Sequence, residues 1–238
     1  MNAMNHNWAE ASARPNAARP TLFRGLPRKD IRHLLNIFEE DRLADGDPLP
    51  RGRAEPPFVG LVLDGALRED VRTPQGGTRL FALTFAGEAL SPLGPCHKGG
   101  RLSAMGDTRL LTCDRAVFDV LASSIPRLYM NLLGVMQDQI TDAYRWQTLL
   151  GRKTATERVA SMLTWFHARQ GTPAELTLPL SRAELGEMSG LTLETVSRQF
   201  RNLQKAGVIA LPRPRQVRVL DTETLIHLSG DAPLEHAA

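Results

Sequence analysis

Apolar positions fall into distinct textures along the chain. From Arg28 to Glu40, Ile31, Leu34, Leu35 and Phe38 stand at helical spacing, which predicts a short helix. From Arg42 to Asp119, short apolar or β-branched runs (58–63, 66–67, 78–83 and 108–113) alternate with Gly, Pro and Asp. Runs of about six residues between glycine-bearing breaks predict an antiparallel sandwich or roll. Asp64-Gly65 and Gly76-Gly77 read as hairpin turns, because glycine accepts positive φ.

The spacing then lengthens. Tyr129, Leu133, Met136, Ile140, Ala143, Gln147 and Leu150 recur in alternating steps of four and three. Leu132, Val135, Trp146 and Leu149 widen that stripe. This predicts a long helix, with Ser124 as its cap and Pro126 in its first turn. Such a stripe can pack on its own domain or pair two subunits. Its width, and its place between two domains, favour a homodimer seam of Leu133, Met136, Ile140, Ala143 and Leu150.

A second helix, Ala155 to Arg169, opens the C-terminal part, and 176–180 reads as a short strand. Ser181 with Glu184 three residues on forms a capping box that starts another helix. Gly186 permits close approach, Gly190 permits a tight turn, and Thr192 caps a following helix over 192–206. That helix carries Glu194, Ser197, Arg198, Arg201 and Lys205 on one face and Leu193, Val196, Phe200 and Leu203 on the other. The layout is a helix-turn-helix that lays its second helix in the major groove. Ala206-Gly207 ends it. The segments 208–211 and 217–220 then flank a basic turn with Arg213 and Arg215, as in the wing of a winged helix.

Roles follow from donor and acceptor geometry. Arg198 can present two donors to guanine O6 and N7, Glu194 can accept from the cytosine amino group, and Ser197 is small enough to sit beside a thymine methyl. Arg182, Thr192, Thr195, Arg201, Lys205, Arg213 and Arg215 are placed for phosphate or secondary contacts. Glu194 and Arg198 can also form a surface pair along the helix.

Charge supports this placement. Residues 152–220 hold 11 Lys and Arg against 5 Asp and Glu, a net of +6, whereas the whole chain of 238 residues carries only +3. The basic excess coincides with the helix-turn-helix, as a phosphate-binding surface requires. The two cysteines, Cys96 and Cys113, suggest no disulfide framework, and Cys113 lies on an apolar strand. No apolar run reaches the ~18 residues of a membrane span, and the first residues contain no hydrophobic signal core. A cytoplasmic protein without a membrane partner is expected. His33, His97 and His167 are isolated, and only His97 lies within 42–119, too few for the clustered ligands of a cupin-like metalloenzyme. There is no phosphate-binding loop and no nucleophile elbow, so no enzyme is expected.

From about Leu22 to Leu225 the chain resembles the Crp/Fnr family of bacterial transcription regulators. The resemblance rests on 191–198 with 180–186 before it, on the junction 149–160, and on Gly65, Gly77 and Gly87-Glu88. It implies an α+β protein. An arm (1–20) precedes a β-roll like the cyclic-nucleotide-binding jelly roll (21–122). A dimerisation helix (123–151), a winged helix-turn-helix (152–228) and a tail (229–238) follow. Glu194, Ser197 and Arg198 match the Glu-x-x-Ser-Arg motif of the Fnr and FixK branch, which reads TTGAT and its inverted repeat ATCAA. The cyclic-AMP receptor branch has Arg where this chain has Leu193, and Gly where it has Ser197.

The sensory half departs from the family pattern. The first 95 residues contain no cysteine for an iron–sulfur cluster, and Arg101 and Ser103 are split by Leu102 where cyclic-AMP binders have adjacent residues. The resemblance implies double-stranded DNA and RNA polymerase as partners, an activator of respiratory or nitrogen-oxide genes, and no cofactor. A haem-gated sensor of the Dnr/NnrR type is the alternative, with His97 the best-placed ligand and Cys96 an oxidisable thiol beside it.

Overall fold

The structure, a computed structural model, describes residues 21–49, 58–72, 78–90 and 100–231. The arm 1–20, the Gly76-Gly77 turn, Cys96, His97 and the tail from 232 lie outside the described residues. The chain divides into two compact units between Thr141 and Asp142.

The first unit opens with a 3-10 turn (Thr21–Phe23) and helix α1 (Arg28–Leu35). Antiparallel strands β1 (Glu39–Leu43), β2 (Phe58–Arg72), β3 (Thr78–Phe85), β4 (Ala89–Leu90) and β5 (Gly100–Asp114) follow. The sheet order is β1-β5-β2-β3, with β4 also paired to β2. Near Phe58–Val62 both faces of the sheet are covered. Val59, Leu61, Leu111 and Cys113 join Leu22, Leu34, Phe118, Leu128 and Leu132 in one core. Phe58, Val62 and Leu110 join Leu43, Leu67 and Leu102 in another. Two-sided burial explains why 58–63 reads as a continuous apolar run rather than an alternating one.

Several expectations are corrected. The first helix stops at Leu35 instead of Glu40, and Glu39–Leu43 pairs with β5 as an edge strand. Its acids find partners across the sheet, where Arg109 Nε lies 3.0 Å from Glu40 and Thr112 Oγ1 donates to Asp41 at 3.0 Å, and Glu40 is also met by Arg42 Nε at 3.0 Å within the strand. Asp64-Gly65 is a bulge inside a 15-residue strand, not a hairpin turn. Gly65 has φ +79°, and an added Cβ would lie 2.5 Å from the Asp107 carbonyl oxygen. The buried Thr108 hydroxyl bridges the gap in the ladder, donating to Ala66 O at 3.0 Å and accepting from Ala66 N at 3.3 Å. Ser124 closes helix α2 (Arg115–Ser124), and the long helix α3 begins only at Arg127, after Pro126.

Helix α3 (Arg127–Arg152) has two dissimilar sides. In the first unit Leu128, Leu132 and Val135 are buried in the core, and Asn131 Nδ2 donates to Leu22 O and Arg24 O at 2.8 and 2.9 Å. In the second unit Leu149 is buried and Trp146 meets Trp165 edge to face. Met130, Leu133, Ile140, Tyr144 and Leu150 are exposed. The residues read as widening the stripe therefore serve the chain's own cores, while the seam residues face solvent.

The second unit adds α4 (Ala155–Arg169), β6 (Glu175–Thr177), α5 (Arg182–Ser189), α6 (Leu193–Lys205), β7 (Ile209–Arg213), β8 (Gln216–Val219) and α7 (Thr222–Ser229). The strands form a sheet in the order β6-β8-β7. Helix α7 was not legible in the sequence. It packs on α4, and its end is stitched to the start of the unit. The nearly buried Lys153 ammonium donates to Ser161 Oγ at 2.7 Å and Ser229 O at 2.8 Å and pairs with Asp231.

Cys113 is buried in the first core. Burial, helped by the adjacent Asp114 charge, pushes its thiol up to about 11. Since the thiolate is the reactive form, a maleimide at pH 8 is expected to leave Cys113 unlabelled in the native protein and to label it fully in urea. Peptide mass spectrometry reads the result; equal labelling in both states would contradict the core placement.

Candidate nucleic-acid interface

The geometry of the helix-turn-helix is set by its caps. Ser181 Oγ accepts from Glu184 N at 3.3 Å, while Glu184 Oε2 accepts from Ser181 N at 2.8 Å, so α5 starts at a complete capping box. Gly190 ends it in the left-handed conformation, φ +65°. At Gly186 an added Cβ would lie 2.6 Å from Leu191 O, so the turn folds back directly onto the helix before it. Thr192 Oγ1 then accepts from Thr195 N at 3.2 Å and caps α6.

One side of α6 is fixed to the unit. Val196, Phe200 and Leu203 are buried, and Val196 and Phe200 meet Val159, Met162, Leu163 and Phe166 of α4. Gln199 is buried as well, accepting from Thr156 Oγ1 at 3.0 Å. Sequence spacing did not single it out, since a polar residue beside an apolar stripe is usually solvated. Leu193 corrects the reading in the other direction. It was assigned to the buried face but is 47% exposed, because it stands at the helix's first position, beyond the reach of α4.

The opposite side is open. Glu194, Arg198, Arg201 and Lys205 are exposed, and Ser197 and Thr195 are half-buried. Its own backbone N–H, near the start of α6, and then the Thr192 hydroxyl hold the Glu194 carboxyl below its ordinary range, so it is an ionised acceptor at neutral pH. Among the described residues no ion pair joins Glu194 to Arg198; the carboxylate turns to the helix start instead. Arg201 Nε donates to Ser197 O at 3.3 Å, along the helix wall. In the wing, Arg213 and Arg215 are exposed where β7 turns into β8, while Arg218 pairs with Glu175.

Arg182 is placed otherwise than a phosphate-gripping cation. Its guanidinium carbon lies 3.2 Å from the Phe200 ring centroid. Burial brings its pKa down to about 10, and Nη1 is buried without a hydrogen-bond partner among the described residues. The capping box that put it at the start of a helix could not show which way it leans.

The other sequence candidates are scattered. Leu133, Ile140, Ala143 and Leu150 are exposed along α3, and Met136 is half-buried. His167 is buried, with Nε2 3.1 Å from Pro173 O, and His33 is exposed on α1. Among the described residues no three His, Cys, Asp or Glu side chains are grouped to hold a metal ion. Among these residues, no helix is long and apolar enough to cross a membrane. On the sheet, Arg68, Asp70, Arg72, Arg101 and Ser103 line an open cavity of about 570 Å³, in which Arg68 is already paired with Asp70 at 2.8 Å.

Comparison with known proteins agrees with this geometry. Residues 157–228 match the model of the Crp-like helix-turn-helix domain. The chain is similar to the transcriptional activator protein FnrL of Cereibacter sphaeroides, 40% identical over 182 residues that cover 73% of each chain. It is also similar to the nitrogen fixation regulation protein FixK of Azorhizobium caulinodans, 31% identical over 93% of this chain and 86% of that one. Among solved structures, FixK2 from Bradyrhizobium japonicum superposes with a TM-score of 0.72 at 29% identity, covering 82% of this chain and 99% of that one.

Proposed function

We infer that this chain, which belongs to the Crp/Fnr family of transcriptional regulators, binds as a homodimer to a two-fold symmetric duplex of the TTGAT–ATCAA type. Glu194, Ser197 and Arg198 read the bases, and Thr192, Thr195, Arg201, Lys205, Arg213 and Arg215 hold the backbone. The observation that carries this reading is the open face of α6. An ionised acceptor and an exposed guanidinium, which has no ion pair among the described residues, stand one helical turn apart on a helix whose other side is anchored by Val196, Phe200 and Leu203.

The relatives are transcriptional regulators, not enzymes. As for them, the partners we propose are DNA and RNA polymerase, with activation of respiratory or nitrogen-oxide genes in the cytoplasm as the outcome. The exposed seam of Leu133, Ile140, Ala143 and Leu150, with the half-buried Met136, supports pairing through α3. We propose that the protein acts without an iron–sulfur cluster, since the first 95 residues supply no thiolate.

The test is fluorescence anisotropy with a labelled palindrome and a scrambled duplex at fixed salt. Arg198→Ala is expected to cost about 1–3 kcal/mol on the palindrome and to relax preference at the guanine it reads. Lys205→Ala should weaken both duplexes alike and lower the salt slope by about one. Equal affinity of the wild type for palindrome and scramble would remove the basis of the reading.

A further inference from the structure

The end of α3 and the turn of the helix-turn-helix are tied together by one side chain that the functional reading leaves unused. Arg158, half-buried in the first turn of α4, donates from all three guanidinium nitrogens to backbone carbonyls. Nη2 reaches Leu150 O at 2.8 Å, Nε reaches Lys153 O at 2.9 Å, and Nη1 reaches Ser189 O at 2.9 Å. Leu150 lies in the last turn of α3, Lys153 follows that helix directly, and Ser189 is the last residue of α5.

The chemistry suits the positions. The last carbonyls of a helix have no partner within it and carry the negative end of its dipole. Two such ends converge on one cation. A guanidinium offers five donors in a rigid planar fork that an ammonium cannot imitate. The contact at Ser189 is followed at once by Gly190, where an added Cβ would lie 3.3 Å from Arg158 Nη1. The same stretch of α3 is held to α4 by the Asp142–Arg169 pair and by Trp146 against Trp165. Leu150 is thus fixed at its carbonyl to the turn that launches α6, and its partly exposed side chain reaches the same turn, where Cδ2 would lie 3.5 Å from a Cβ added at Gly190.

We propose that Arg158 is a positioning residue that fixes the recognition helix to the end of the dimer helix, and so sets the spacing between the two half-sites that a dimer can accept. The proposal rests on the homodimeric DNA-binding reading. Base contacts belong to Glu194, Ser197 and Arg198, so loss of the fork leaves the choice of bases intact and loosens the choice of spacing.

The experiment measures binding of the full chain to the palindrome and to duplexes with one base pair added or removed between the half-sites. Each step turns one half-site by about 34° and shifts it by about 3.4 Å. Wild type is expected to favour its native spacing by about tenfold or more, within the range that a mismatched base pair costs. In Arg158→Gln that discrimination should fall to about threefold or less. Its preference for matched over scrambled half-sites, and its dimerisation by sedimentation, should stay as in wild type. Arg158→Lys, which keeps the charge but not the fork, should behave like Arg158→Gln and serves if that variant does not fold.

Undiminished spacing discrimination in a folded variant overturns the proposal. So does a loss of half-site preference alongside spacing preference, or failure of both variants to fold, which makes Arg158 a folding residue. A wild type indifferent to spacing would instead count against the dimer reading, and the proposal falls with it.

Discussion

Ile140→Asp is expected to bind the palindrome about a thousandfold more weakly than wild type, at the low end of the gap between specific and non-specific binding, while keeping its fold. Ile140 is 54% exposed and Leu133 57%, so neither contributes much to a core of its own chain. A carboxylate there costs the isolated subunit little. In a paired seam it is desolvated among Leu133, Met136 and their copies with no cation to meet it, which costs several kcal/mol. A monomer engages one half-site only, and the second recognition helix no longer adds its contacts at high effective concentration. Sedimentation should show a monomer with the thermal transition of the wild type. A variant that stays dimeric with full affinity would move the seam elsewhere.

Phe200→Ala is the second large effect, and it acts through stability. Phe200 is 2% exposed, wedged between α4 and the guanidinium of Arg182. Truncating a buried phenylalanine costs about 3–5 kcal/mol, because the void is only partly refilled. That is a large fraction of the stability of a domain of this size. Urea denaturation followed by tryptophan fluorescence should show a midpoint lowered without much change in slope, since Trp146 and Trp165 report on the same unit. Arg182 would lose the ring it lies on, so its guanidinium is freed toward water. A cost below about 1 kcal/mol would mean that the recognition helix is not anchored at this residue.

The recognition unit was more legible in the sequence than the sheet. Ser181, Glu184, Gly190 and Thr192 act through neighbours three or four residues away, and each cap stands where the local pattern placed it. Helix α4 ran from Ala155 to Arg169 as read, ending before Gly171. What failed depended on partners distant in sequence. Glu39–Leu43 looked like the end of a helix because its strand partner is residues 108–112. Gly65 looked like a turn because the carbonyl that crowds it belongs to Asp107. Arg158 and Gln199 drew no reading of their own, because the carbonyls and hydroxyl that employ them lie as far as 31 and 43 positions away. The division of α3 into an inward and an outward side was half legible. The stripe was visible, but which members it spent on its own cores depended on Leu22, Leu34 and Trp165.

The stitch between Lys153 and the residues after α7 bears on how the polypeptide is made. An ammonium withdrawn from water near the start of the second unit is neutralised by Asp231, 78 positions later. Until that aspartate has been synthesised, any early collapse around α4 traps a bare cation or leaves it outside. Assembly of this unit therefore waits for Asp231, and a messenger cut short before codon 231 yields a product that proteases should recognise as unfinished.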